Sequence, residues 1–471
     1  MKKLFIPLIL LMFLTGCSNK EEESILDKEI EAPVAISNLK VDKEEEKKVY
    51  IPEIKGEEED LDVLDIKDIA DSKEFVDFRE ENTEKDISYI VNNFNWKYLS
   101  SLENTNDNII YSPISLSSFV GALVNCTDGQ ILRESLDDFG VSSLENLNDS
   151  FYSFSSYLRN SYDEKYRKMN FGTFLAINTQ KIERGYLFDE NLKSLLLNNF
   201  NGYLNEYDFK FNKLEANDKI NSFIYDNTDK HFNKKESGIN ISEEETFNIY
   251  NSSSFYGSWN IRFNHKKTNK GNFTSVSGES TVKDFMIDTR NSSEFRFYED
   301  DKYQGIGIPY VESLNGAENT YFIGIIPKGD SLDIKSLWDK EDFDYKENFI
   351  KNILESPEYF DKVTLYLPLF SFNESSNFIE NLENSEFNYL LDNGSLNKIY
   401  KDYPISISNI DNFIYFKITE EGGDLIDDIS LDFGEERQIS KEIEIKFDRP
   451  FLFTVIDTNY NVELITGILN N

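Results

Sequence analysis

Between Gly423 and Pro450 the chain carries a segment patterned as a strand but composed like a loop, and that combination restricts the folds open to it. Leu425, Ile429, Leu431 and Phe433 fall on one parity while Asp424, Asp428, Ser430 and Asp432 fall on the other, which is the period of a half-buried strand. Gly422 and Gly423 precede it as a permissive hinge, and no proline lies between Pro404 and Pro450 to block a ladder. Taken alone, the run reads as an ordinary edge strand or hairpin arm. A strand held outside its sheet until something releases it would carry the same pattern. Counting from Gly423, the inward parity is Gly423, Leu425, Asp427, Ile429, Leu431 and Phe433, so burying that face would bury Asp427. Without a partner that burial costs roughly 2 to 7 kcal/mol even for the neutral group.

The N-terminus is a targeting segment. Lys2 and Lys3 precede an apolar run from Leu4 to Leu14, and Leu14-Thr15-Gly16-Cys17 follows. This resembles the lipobox of bacterial lipoproteins, which implies cleavage after residue 16 and a lipid on the Cys17 thiol. The apolar run is too short to span a hydrocarbon core of roughly 30 Å as a helix. From Cys17 to about residue 85 the chain is acidic and poor in aromatics, with runs such as EEE and GEEED, and reads as a disordered, solvated tether. The expected organisation is therefore a signal peptide over 1–16, a lipidated tether over 17–85 and a folded domain over 86–471. On this reading the chain is exported and lipid-anchored at the cell membrane, facing away from the cytoplasm.

A net charge of −38 argues against nucleic acid as a partner and disfavours direct contact with anionic lipid. Once Cys17 carries lipid only Cys126 remains, so no intramolecular disulfide can form and Cys126, within FVGALVNC, reads as a small core residue. His231 and His265 are the only histidines, neither is spaced for metal ligation or for a nucleophile and its base, and both read as incidental surface residues. The chain has no HExxH, no GxSxG and no phosphate-cradling glycine loop. Nothing here makes a positive case for an enzyme, a metal or a cofactor.

Short motifs recur in one order over residues 86–471. NIIYSPIS spans Asn108 to Ser115, INSFIYDNT spans Ile220 to Thr228, and NSSSFYGSW spans Asn251 to Trp259. TVKDFM, IGIPY, FIGIIPKGD and LYLPLFSF follow, then Glu420-Glu421-Gly422-Gly423-Asp424, the run IKFDRPFLFTV from Ile445 to Val455, and a closing GILNN. Together these resemble the serpins, the serine protease inhibitor family. The resemblance implies an α+β fold of three β-sheets with eight or nine helices and an exposed reactive loop. It also implies a hinge at Glu420 to Leu425 with Asp427 just beyond, and "shutter" and "breach" positions at Ser112, Ser115, Asn251, Trp259 and Asn412. Asn412 stands where many inhibitory members carry a histidine, and it is expected to join Ser112 and Asn251 in one hydrogen-bonded network. Ser252, Ser253 and Ser254 replace apolar residues of the family pattern and are expected to weaken their strand.

The implied partner is a serine protease, trapped as a covalent acyl-enzyme when the cleaved loop inserts as a new strand. Family loop length places the scissile bond at Glu436-Arg437, with Arg437-Gln438 one bond further on. Arg437 is the only basic residue between Lys417 and Lys441, which favours cleavage after Arg437 by a trypsin-like enzyme. Leu425 to Asp428 stand where the family favours small residues. The alternative is therefore a non-inhibitory serpin-fold lipoprotein that serves as a binding or substrate module.

Overall fold

The computed structural model describes residues 87–471, except 99–105, 163–164, 234–236, 292–293, 312–318, 335–336, 338–342, 357–361, 402 and 424–441. Cys17, the residues from Asp424 through Leu425 and Asp427, and the proposed reactive bond at Glu436, Arg437 and Gln438 lie outside the described residues.

The middle of the molecule is a five-stranded sheet in the order β11-β14-β4-β2-β3. Its strands are β2 (Arg167–Asn178), β3 (Gly202–Tyr207), β4 (Phe247–Gly257), β11 (Phe370–Asn377) and β14 (Asn409–Ile418). A six-stranded sheet packs against it in the order β1-β17-β16-β9-β8-β7, built from β1 (Ile109–Tyr111), β7 (Arg296–Glu299), β8 (Tyr303–Pro309), β9 (Thr320–Pro327), β16 (Phe451–Asp457) and β17 (Val462–Leu469). A four-stranded sheet combines β5 (Asn269–Thr274), β6 (Ser280–Arg290), β10 (Lys362–Pro368) and β15 (Glu442–Lys446), and a small ladder pairs β12 (Leu396–Tyr400) with β13 (Tyr403–Ile405). Helices surround these layers: α1 over residues 87–98, α2 (Pro113–Asn125), α3 (Gly129–Phe139), α4 (Leu144–Ser161), α5 (Glu190–Phe200), α6 (Lys213–Asn227), α7 (Phe343–Leu354) and α8 (Ile379–Glu383). No helix among the described residues is long and apolar enough to cross a membrane.

The FLFTV end of the FDRPFLFTV run lies in β16, which is buried along its whole length between β17 and β9. Phe453 is the contact point of two layers. Its ring lies 5.2 to 5.6 Å from Phe370 and Phe372 on β11 and Phe416 on β14, and 6.4 Å from Phe322 on β9. These separations suit offset and edge packing of aromatic quadrupoles, so one phenylalanine-rich seam joins the central sheet to the six-stranded one.

Helix α2 starts where its sequence says it should. Ser112 caps it by accepting from Ser115 N, and Pro113 occupies the first turn, where a missing N–H costs nothing. The helix is buried at every position, and burial pushes the thiol of Cys126 at its end up to about 12, so it is an inert core group.

Candidate functional site: the hinge and the β4–β14 seam

β14 and β4 are parallel neighbours, paired from Asn409 with Asn248 to Phe416 with Phe255. Every other pair in the central sheet except the outer β2–β3 pair is antiparallel. Three consecutive serines of β4, Ser252 to Ser254, lie along this seam opposite Phe413, Ile414 and Tyr415 in the ladder. All three are buried. The Oγ of Ser254 donates to Asn227 O at 2.8 Å, but those of Ser252 and Ser253 find no hydrogen-bond partner among the described residues. The serine run does not shorten β4, which is continuous over Phe247–Gly257 because backbone ladders with β2 and β14 hold it from both sides. What the run leaves is a seam with small, under-satisfied side chains.

Asn251 is the polar centre of that seam. Its Nδ2 donates to Ser115 Oγ at 3.0 Å and to Asn412 Oδ1 at 2.8 Å, and its Oδ1 accepts from Thr173 Oγ1 at 3.0 Å. Helix α2, β2, β4 and β14 each supply one member, so the network ties the two parting strands to a helix beneath them. Ser112 is not part of it. Its Oγ donates to Leu464 O at 2.6 Å while capping α2, because the capping geometry turns it away from the sheet. Thr173 takes the place expected of it. Nothing in the sequence marks Thr173, since its role depends on the register of β2 against β4.

Beyond Ile418 the chain makes a tight turn. Thr419 N donates to Gly422 O at 2.8 Å and Gly422 N to Thr419 O at 3.1 Å. Gly422 sits at φ +115°, a conformation that side chains disfavour. The turn is clamped to the segment after β4 by Gly423 N to Gly257 O at 2.7 Å, Trp259 N to Glu421 O at 2.9 Å and Phe263 N to Glu420 O at 2.9 Å. Trp259 completes the clamp. Its indole Nε1 donates to Thr419 O at 2.8 Å while its ring stacks on Tyr310, 4.6 Å away and 13° from parallel.

The histidines require a correction, since neither is incidental. His265 lies against the hinge, with Nε2 2.6 Å from Glu421 Oε1 and Nδ1 3.6 Å from Glu420 Oε1. His231 stacks on Tyr415 of β14, ring centroids 3.4 Å apart and planes 11° from parallel. Sequence spacing could not reveal either contact, because each joins segments far apart along the chain.

The residues that flank 424–441 are thus anchored in different sheets: Gly423 at the central one, Glu442 in β15 beside β10 of the four-stranded one. Residues 89–471 match the family model described as Serpin (serine protease inhibitor). The chain belongs to the serpin family. It is 23% identical over 399 residues to an uncharacterised serpin-like protein of Thermococcus kodakarensis, covering 84% of this chain and 88% of that one. It is also 23% identical over 327 residues to an antitrypsin of Bombyx mori, covering 68% and 77% of the two chains. Among solved structures, the thermophilic serpin tengpin in its native state superposes with a TM-score of 0.67 at 18% identity, covering 82% of this chain and 94% of that chain. The serpin fold, with its three large sheets and surrounding helices, is the architecture described above, and the family is described as one of serine protease inhibitors.

Proposed function

We propose that this serpin is exported, held at the membrane by lipid on Cys17 through the 17–85 tether, and traps serine proteases outside the cytoplasm, trypsin-like enzymes foremost. The observation that carries the reading is the β4–β14 seam. A parallel pair can accept one antiparallel strand between its members, replacing a single ladder by two of the better-paired kind. The chain leaves β14 through the Thr419 to Gly423 turn, which reverses its direction, and on this reading the residues that follow supply that strand. Serpin loop insertion is itself the standard instance of strand addition and of stored strain released by cleavage.

On this reading a protease attacks the bond after Arg437. The serine oxygen bonds to the Arg437 carbonyl carbon, the bond to Gln438 breaks, and the new amine leaves with a proton. The freed arm then enters the seam with Leu425, Ile429, Leu431 and Phe433 on one face, and the attached enzyme is carried along before water can hydrolyse the ester. Parting of the strands requires the Asn251–Asn412 bond to break and the hinge turn to unroll.

Leu425, Ile426, Asp427 and Asp428 favour a second reading, in which the acidic arm inserts too slowly and the loop is a substrate or recognition element. Incubation of the chain with trypsin, read on a denaturing gel and by mass spectrometry of the released C-terminal peptide, separates the two. A denaturant-stable complex with cleavage after Arg437 is expected. Clean cleavage with full protease activity would leave the second reading, and an Asp427→Ala, Asp428→Ala variant should then gain trapping if those acids alone obstruct insertion. Cys17→Ser should move the protein from the membrane fraction to the soluble one; unchanged fractionation would refute the lipid anchor.

A further inference from the structure

Glu420 and Glu421 pose a charge problem that the hinge reading does not resolve. They are adjacent carboxylates with only 11% and 26% of their side chains exposed, and among the described residues no lysine or arginine lies within ion-pair distance of either. Lys267, nearby in sequence to His265, is committed to Asp288 at 2.9 Å. Two partly buried negative charges that no lysine or arginine meets are costly unless they are paired or coordinate a cation. Among the described residues, the side chain that meets both is the imidazole of His265, which is 66% exposed and belongs to the short turn His265–Lys267 on a different segment.

We propose that His265, Glu420 and Glu421 form a site for a divalent transition-metal ion of the zinc class, which clasps the loop hinge to the segment following β4. One ligand atom from each residue lies within 4.8 Å of the other two. A four-coordinate ion with bonds of roughly 2.0 to 2.2 Å holds its donors about 3.3 to 3.6 Å apart, so the observed cluster needs only small side-chain rotations to close on one. One imidazole nitrogen and two carboxylate oxygens suit zinc or cobalt better than calcium, which asks for six to eight oxygens. Three protein ligands leave the fourth position to water.

The carboxylates are already oriented by neighbours that are not ligands. Thr268 Oγ1 donates to Glu420 Oε1 at 2.6 Å, and Thr419 Oγ1 donates to Glu421 Oε2 at 3.2 Å, leaving the Glu421 Oε1 atom turned to the imidazole. Hydrogen bonds of this kind preset ligand geometry and typically change metal affinity ten- to a hundredfold when lost. A bound ion would link Glu420 and Glu421 to His265 across the same gap that the Trp259 N and Phe263 N bonds already bridge. The turn could then unroll only after the metal left. Binding and hinge release are therefore antagonistic, and the antagonism is reciprocal.

The binding site stands on geometry and charge alone; its effect on loop insertion rests on the inhibitor reading above. The test uses the full chain stripped with a chelator and titrated with Zn2+ by calorimetry and with Co2+ by visible absorption. One Zn2+ per chain and the intense absorption of four-coordinate Co2+ are expected, with affinity at least tenfold weaker in both His265→Ala and Glu421→Gln and unchanged in His231→Ala. Absence of binding, or equal binding by wild type and both hinge variants, would overturn the site and leave an ion pair only. If the ion must depart before insertion, zinc at a hundred times its Kd should slow complex formation with trypsin about a hundredfold, an effect absent in His265→Ala. Trapping that ignores saturating zinc would overturn the clasp. Zinc binding without trapping under any condition would instead defeat the inhibitor reading, while the metal site would still hold.

Discussion

Replacing Gly422 by alanine places a methyl group where the hinge has no room for one. A Cβ built there would lie 2.1 Å from Gly257 O and 2.8 Å from Trp259 N, both backbone atoms that no rotamer change can move aside. The backbone conformation at φ +115° adds strain of about 1 to 3 kcal/mol for a residue with a side chain. To escape the contact the turn must lift from β4, which breaks the bond from Gly423 N to Gly257 O and the one from Trp259 N to Glu421 O, at about 1 kcal/mol net each. The sum is about 3 to 5 kcal/mol. In an inserted strand residue 422 would be extended, where alanine carries no strain, so the penalty falls on the uninserted state alone. We expect Gly422→Ala to lower the stability of that state by about this amount in urea unfolding, and to convert to a more heat-resistant, loop-inserted form one to two orders of magnitude faster. Trp259 fluorescence reports both processes, since its ring sits under the turn. Gly423→Ala is the comparison: its Cβ meets the ring of the half-buried Tyr256 at 2.7 Å, which can rotate away, so a loss of about 1 kcal/mol is expected. Wild-type unfolding and conversion in Gly422→Ala would refute the claim that the turn is clamped.

Three further outcomes follow from the seam and the core. Asn412→Ala leaves Asn251 Nδ2 without its partner on β14 and should cost about 1 to 3 kcal/mol, with a double-mutant cycle against Ser115→Ala showing coupling through Asn251. Ser252→Ala deletes a buried hydroxyl that has no partner among the described residues; a gain of about 1 kcal/mol in unfolding experiments and slower insertion are expected. Glu347, beside buried Lys346 and the buried carboxylate of Glu463, is pushed up to about 7, first by burial, against the pull of Lys346 and with the help of Glu463. An acid with a raised folded-state value binds its proton more tightly folded than unfolded, so its contribution is fully present below the ordinary carboxyl range and is lost as pH rises towards 7. Stability should therefore fall by up to about 3 kcal/mol across that window in thermal or urea melts. Glu347→Gln should flatten that slope, and an unchanged slope would assign it to other groups.

Local pattern alone makes part of this protein legible. A strand places alternate side chains on opposite faces, and FLFTV, within β16, is buried on both. Ser112 and Pro113 mark the start of α2 through capping chemistry that needs no distant partner. The Gly422-Gly423 pair announces a turn, since it is the residue type that a positive φ demands. Family membership is readable for the same reason: the motifs recur in order, and each is a short local code.

Features that depend on register and on chain return leave no such code. The serine run of β4 reads as a weakness in isolation, yet the strand is continuous because ladders on both sides supply its backbone bonds, and context of that kind overrides side-chain preference. Thr173 replaces Ser112 in the network around Asn251 because the β2–β4 register puts Thr173 opposite Asn251. His265 reads as incidental because its partners, Glu420 and Glu421, come back to it only after the central sheet has been completed. The sequence by itself determined the segments, their turns and the family, all encoded in spacings of a few residues. Only the tertiary structure decided which polar groups meet at the seam and the hinge, because those meetings are made between strands whose separation along the chain leaves no local trace.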